Sequence, residues 1–216
     1  YRENSGAAPL KETLAASMVL LSRWQEGYEL IDPFCGSGTI LIEAAMIMNN
    51  IAPGLNREFA CESWPSIPDY IFKQVREGAK RAQKNYPLKL YGYDIDTWVL
   101  RTAENNAYKA GVKDFIQFEK RDARDFKESE EYGFVITNPP YGERLGEKEE
   151  IEKLYKKFKS VMEQHNKWEF NILTSYEQFE KIIDMKAEKN RKLYNGKLKC
   201  YYYQYMKNDL IKNQGN

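Results

Sequence analysis

The sequence predicts an α/β fold: a mixed, mostly parallel sheet with helices on both faces and an antiparallel hairpin at one edge. Three observations predict it. Short apolar segments alternate with stretches of helical periodicity. The first two of these segments end in an acid followed by a turn and a helix. Near the C-terminus two strand-like runs flank Asn195-Gly196, the dipeptide best suited to a two-residue hairpin turn. Strands joined through helices form right-handed crossovers. In such sheets a ligand sits beyond the carboxyl ends of the strands, where the strand order reverses.

The elements follow in order. Residues 10–24 read as a helix ahead of the first strand, with Leu14, Ala15, Met18 and Leu21 inward. Residues 28–31 form a strand running into Asp32, and residues 40–48 an almost wholly apolar helix. Residues 50–89 are an insertion with Pro53-Gly54, Trp64-Pro65 and Ile67-Pro68, then a basic helix bearing Lys73, Arg76, Lys80, Arg81 and Lys84; Phe59, Cys61, Trp64 and Tyr70 suggest a packed cap. Residues 90–93 are a second strand ending in acid, and Val99, Ala103, Asn106, Ala107 and Ala110 share the face of the next helix. Residues 115–118, 133–137 and 170–173 are further strands, and Ile151, Leu154, Tyr155, Phe158, Val161 and Met162 have the spacing of an amphipathic helix. His165 closes that helix and reads as solvated.

Composition sets the bounds. The 216 residues, 42% apolar and 14% aromatic, suit one sizeable domain over residues 1–216. The chain opens on Tyr1 without an initiator Met and reads as a piece of a longer protein. No apolar run approaches the ~20 residues that span a bilayer, so the expectation is a soluble, cytoplasmic protein. Three cysteines (Cys35, Cys61, Cys200) lack metal-ligand spacing and the single His165 cannot complete a zinc site, so no metal is expected. Lys and Arg total 33 against 32 Asp and Glu; the net charge of +1 argues against holding nucleic acid by bulk charge alone.

The turn Asp32-Pro33-Phe34-Cys35-Gly36-Ser37-Gly38-Thr39 joins a strand to a helix. Its glycines permit positive φ and let a ligand approach the backbone, while free N–H groups at the helix start favour an anion. A phosphate-gripping loop wants Gly-Lys-Ser/Thr, and no Lys is present. A dinucleotide fingerprint wants a small residue where Leu41 stands. S-adenosyl-L-methionine fits better: an acid at the strand tip (Asp32) suits its ammonium, and the backbone of Gly36, Ser37, Gly38 and Thr39 suits its carboxylate. Asp94, in Asp94-Ile95-Asp96, is placed for the ribose hydroxyls with Ile95 against the adenine. Asp122-Ala123 after the third strand suits the adenine amino group. Each acid alone reads equally as a cap or a solvated turn; their register at successive strand ends favours the ligand.

Asn138-Pro139-Pro140-Tyr141 follows the fourth strand, expected beside the first. The exocyclic amine of a base is a poor nucleophile because its lone pair is delocalised. The Asn138 side-chain oxygen and the Pro139 carbonyl, facing its two hydrogens, would orient it and stabilise the growing positive charge. The prolines hold these acceptors rigid and Tyr141 offers a stacking face. Cys35 has no base partner to make it a nucleophile.

Residues 32–39 with Ile42-Glu43-Ala44, Ile51-Ala52-Pro53-Gly54, Asn138-Pro139-Pro140-Tyr141-Gly142-Glu143-Arg144-Leu145-Gly146 and Tyr194-Asn195-Gly196 together resemble the methyltransferase domain of THUMP-type RNA guanine-N2 methyltransferases, over nearly the whole chain. The tetrad is shared with adenine-N6 enzymes; the Gly-Glu-Arg-Leu-Gly tail points to the RNA group. The resemblance implies a Rossmann-like class I S-adenosyl-L-methionine-dependent methyltransferase with seven strands, acting on guanine N2 of RNA, most simply rRNA. It implies that residues 5–12 close over the cofactor, and that an N-terminal THUMP RNA-binding module, absent from this sequence, supplies much of the RNA affinity. Adenine N6 in DNA or RNA, and an inactive scaffold in ribosome assembly, are the alternatives. The basic helix at 73–84 and the basic residues of 181–199 read first as solvated faces and second as RNA contacts. Tyr201, Tyr202, Tyr203 and Tyr205 read as alternating between core and surface, and Arg144 as an RNA-phosphate or ion-pair partner.

Overall fold

The computed structural model describes residues 1, 10–126, 128–142 and 148–207. Its strands are β1 (Glu29–Asp32), β2 (Leu90–Asp94), β3 (Ile116–Lys120), β4 (Gly133–Thr137), β5 (Glu169–Thr174), β6 (Lys189–Asn195) and β7 (Leu198–Tyr205). They form one sheet of order β3-β2-β1-β4-β5-β7-β6. The strands β1 to β5 run parallel, while β7 is antiparallel to both β5 and β6. Every residue of β1, β4 and β5 is buried, as apolar runs must be when helices cover both faces.

The helices are α1 (Glu12–Leu21), α2 (Thr39–Met48), α3 (Asp69–Arg81), α4 (Thr97–Lys109), α5 (Lys148–Gln164) and α6 (Phe179–Ile183). Successive strand residues feed opposite cores, because side chains alternate across a pleated sheet. Leu30, Phe134 and Tyr202 pack with α1, α2 and α4 on one face. Ile31, Val135 and Tyr203 pack with α5 and α6 on the other. Tyr202, Tyr203 and Tyr205 are therefore all buried, not alternately exposed as expected, because β7 is an inner strand with both faces covered.

Two further expectations are corrected. The insertion is not a packed cap. Trp64 and Tyr70 are 56% and 61% exposed, and α3 has no buried residue. The excursion is held by its own contacts: Arg57 lies 4.5 Å over the Phe59 ring and Arg76 pairs with Glu62 at 2.7 Å. Leu21 faces the core as expected and is half-buried at the end of α1. His165 is not solvated; its ring bonds to the Val161 carbonyl and Glu128 and stacks edge-on with Phe126.

The order of the strands reverses between β1 and β4, so the chain segments after these two strands, residues 33–38 and 138–142, face each other. The last β5–β7 pair is Thr174 with Tyr201. Residues 198–200 and their β6 partners thus overhang the carboxyl edge of the parallel strands, by roughly 10 Å at ~3.4 Å per residue.

Candidate active site

The turn after β1 is built by backbone conformation. Gly36 and Gly38 have φ of +53° and +79°, a region that costs a residue with Cβ about 1–2 kcal/mol. At Gly38 space is also limiting: an added Cβ would lie 3.0 Å from the Phe118 ring and 3.1 Å from Ala103 Cβ. The turn is fastened from three sides. Cys35 N–H donates to the Tyr93 carbonyl at 2.9 Å, Gly36 N–H to Asp94 Oδ2 at 3.1 Å, and buried Asn106 donates its Nδ2 to the Ser37 carbonyl at 3.1 Å. Ser37 and Thr39 share a hydroxyl contact at 3.2 Å.

Asp94 closes the next strand. One of its oxygens holds Gly36 and the other accepts the Asp96 N–H at 2.9 Å. Asp96 in turn caps α4 by accepting the Trp98 N–H at 2.8 Å. Beyond β3, Asp122 caps a 3-10 turn, accepts the Arg124 N–H at 2.9 Å and pairs with the Arg124 guanidinium; these bonds hold its carboxyl below the usual range.

Between these strand ends lies a cleft of about 700 Å³ lined by Phe34, Asp94, Ile95, Asp122, Ala123, Asn138 and Pro140, with Lys153, Leu154 and Lys157 of α5 at its outer wall. Other sequence-predicted residues stand behind this lining. Asp32 is 1% exposed: its Oδ1 accepts the Thr137 hydroxyl at 2.6 Å and the Phe34 N–H at 3.2 Å. Burial pushes its carboxyl up to about 7, with the nearby Asp94 charge adding to it and the two hydrogen bonds opposing. Cys35 is buried, and desolvation raises its thiol well above the ordinary value. Gly36, Ser37, Gly38, Thr39, Asp96, Pro139 and Tyr141 flank the lining residues along the chain.

The tetrad leaves β4 beside this turn. The Tyr141 hydroxyl donates to Asn138 Oδ1, so the amide is oriented before any ligand arrives. Its ring packs against the core cluster that includes Cys200, and burial raises its phenol. Tyr155 of α5 donates to the Pro140 carbonyl at 2.8 Å and meets Thr174 Oγ1 at 3.2 Å. Sequence reasoning placed Asn106, Thr137 and Tyr155 on core-facing elements and missed their polar roles; a buried Asn on an apolar helical face was the one available signal. Residues 143–146 of the extended tail, Arg144 among them, and most of the predicted amino-terminal closure at 5–12 lie outside the described residues. Among the described residues, no cluster of three or more His, Cys, Asp or Glu is arranged to hold a metal, and no helix is long and apolar enough to cross a membrane.

Comparison with known proteins gives the same picture. The chain is 46% identical over 206 residues to the Bacillus subtilis (strain 168) protein named "Putative RNA methyltransferase YpsC", covering 95% of this chain and 54% of that protein. It is 43% identical over 215 residues to the ribosomal RNA large subunit methyltransferase K/L of Shewanella amazonensis, covering 95% and 30%. Among solved structures, SMU.472 complexed with SAH matches with a TM-score of 0.88 and 40% identity over 93% of this chain and 53% of that one. The structure of a protein described as a predicted N6-adenine-specific DNA methylase of Listeria monocytogenes matches at 0.89 and 44%, covering 95% and 53%. The chain thus spans about half or less of the length of these relatives. Since residues 1–204 match the family model described as RMKL-like, methyltransferase domain, the chain belongs to that family.

Proposed function

We propose that this chain is the catalytic part of an S-adenosylmethionine-dependent RNA methyltransferase acting on an exocyclic base amine, guanine N2 of rRNA in the first instance. The observation that carries the reading is the juxtaposition across the β1/β4 reversal: the Asn138 tetrad stands against a glycine turn and a cleft walled by the Asp94 and Asp122 carboxylates among others.

The residues fit the cofactor. The Asp94 oxygens hold backbone N–H groups and keep outward lone pairs for ribose hydroxyls. The cleft offers Ile95, 66% exposed, as an apolar face, with Asp122 and Ala123 beyond it. Gly36 to Thr39 present the start of α2 to a carboxylate. Asp32 acts from behind, fixing the turn. The cofactor supplies an electrophilic methyl group on a sulfonium. For its part the chain orients the amine: Asn138 Oδ1, already aligned by Tyr141, and the Pro139 carbonyl accept the amine hydrogens, favouring the charge that develops on nitrogen. Positioning supplies much of the remainder.

The names of the Bacillus and Shewanella relatives support RNA as substrate, which in turn fits a cytoplasmic setting, and the partial coverage of both leaves room for a further module that binds RNA. The description of the Listeria protein favours a second reading, adenine N6. Nucleosides from a deletion strain separate them by mass spectrometry: loss of N2-methylguanosine supports the first, loss of N6-methyladenosine the second. Calorimetry with S-adenosylhomocysteine, together with Asn138→Ala, which should abolish methylation, tests the chemistry itself.

A further inference from the structure

The near-neutral charge of the chain is unevenly distributed. Residues 189–207 contain Lys189, Arg191, Lys192, Lys197, Lys199 and Lys207 and no Asp or Glu, so the rest of the sequence is net acidic. Pairing in the hairpin sorts these cations by face. Lys192 stands opposite Tyr201 and Tyr194 opposite Lys199, giving a two-by-two checkerboard of ammonium and phenol groups. Lys192 Nζ lies 5.6 Å from the Tyr194 ring centre and Lys199 Nζ 5.4 Å from that of Tyr201. Tyr194 is 55% exposed and Lys197 in the turn is exposed. Lys199 also pairs with Glu177 at 2.8 Å.

The location ties this patch to the tetrad. The hairpin tip overhangs the carboxyl edge of the sheet, where Asn138 leaves β4. On the opposite face of β7, Cys200, between Lys199 and Tyr201, meets Tyr141. The basic insertion is a weaker candidate, since Arg76 is engaged by Glu62 and the Arg57 carbonyl and Arg81 lies 4.0 Å from Glu77.

We infer that the tip of the β6–β7 hairpin binds single-stranded RNA flanking the target base. Lys192, Lys197 and Lys199 contact phosphates and the Tyr194 ring stacks on an unpaired base. Such a surface is sequence-tolerant, because every base has a stacking face and every nucleotide a phosphate. The inference rests on the RNA reading above and names the surface that reading leaves open.

The test is fluorescence anisotropy of this chain with a labelled single-stranded RNA of about 12 nucleotides at about 50 mM salt, alongside calorimetry with S-adenosylhomocysteine. The K192A/K197A/K199A variant should weaken RNA binding at least ~10-fold and flatten the log K against log salt slope by about 2. Tyr194→Ala should weaken it ~5-fold or more. Both should keep S-adenosylhomocysteine affinity, and K73A/K80A/K84A, which removes as many charges from the insertion, should cost less than about 3-fold. Hairpin variants within about 2-fold of the parent, or an equal loss in the insertion variant, would overturn the hairpin assignment while RNA methylation by the parent left the broader reading standing. A parent chain without RNA binding would overturn the hairpin assignment, whereas the full-length protein failing to methylate RNA would sink the broader reading.

Discussion

The Thr137 hydroxyl donates to Asp32 Oδ1 over 2.6 Å, joining the last residue of β4 to the last residue of β1. Each is the final strand residue before a working segment, the Asn138 tetrad on one side and the glycine turn on the other. This buried bond therefore fixes the two segments relative to each other, and its acceptor is an acid that water does not reach.

That burial has a pH consequence. The Asp32 carboxyl is raised from 3.8 to about 7, chiefly by desolvation. Between those values the folded state holds a proton that the unfolded chain has released, so this group makes stability fall as pH rises from about 4 to about 7. Asp32→Asn removes the ionisation and keeps an acceptor for Thr137. Denaturant titrations should find it more stable than the parent at pH 8 by about 1–4 kcal/mol, with the difference shrinking toward pH 4. Parallel pH slopes in the two proteins would assign the titration to another group.

Gly38→Ala meets two obstacles at once. Its φ of +79° disfavours any Cβ, and the neighbours at 3.0 Å and 3.1 Å belong to the packed Phe118 ring and Ala103. A melting point lowered by the equivalent of roughly 1–3 kcal/mol is expected, with S-adenosylhomocysteine binding reduced at least ~10-fold. Normal affinity in a folded variant would show that the backbone at this corner does not contact the ligand.

Asn106→Ala tests the turn from the other side. Asn106 is 2% exposed and gives the Ser37 carbonyl its side-chain donor. Truncation should cost about 1–3 kcal/mol by leaving that carbonyl short of a partner. Ligand affinity should drop by a larger factor than in an Ala107→Gly control on the same buried helical face. Equal effects on affinity in the two variants would reduce Asn106 to packing alone.

Much of this was legible in the sequence because it is local. The apolar strands, the C-terminal hairpin and the order of glycines and acids each have short-range signatures, and strand–helix alternation then determines which strand ends converge; the hairpin's two-residue turn falls at Gly196-Lys197, one residue beyond the expected Asn195-Gly196, because Asn195 pairs with Leu198. What was not legible depends on partners far apart in the chain. Thr137 and Asp32 are separated by 105 residues and Asn106 and Ser37 by 69, and apart from the polar Asn106 on an apolar helical face nothing local distinguishes their bonds from ordinary packing. An acid at a strand tip, as Asp32 is, is a visible signal for a ligand group, whereas its burial comes from the neighbouring strands and has no local signature. The aromatic residues of the insertion show the opposite error, since composition suggested packing while the segment's own ion pair and cation–ring contact stabilise an exposed excursion.

Tyr155 supplies the last prediction. It is 1% exposed on α5, yet its hydroxyl reaches the Pro140 carbonyl at 2.8 Å and Thr174 Oγ1 at 3.2 Å. Tyr155→Phe keeps the ring contacts with Phe179 and Tyr176, at 5.0 Å and 5.8 Å, and removes only the donor. The loss should cost about 1 kcal/mol of stability. The tetrad backbone would then lose its anchor to α5 while the cofactor cleft stays intact. Methyl-transfer assays should find kcat lowered ~3- to 10-fold with S-adenosylhomocysteine affinity unchanged, since a small misplacement of an acceptor acts on the reacting geometry more than on binding. A variant that instead lost cofactor affinity at full kcat would show that α5 braces the cleft and not the tetrad.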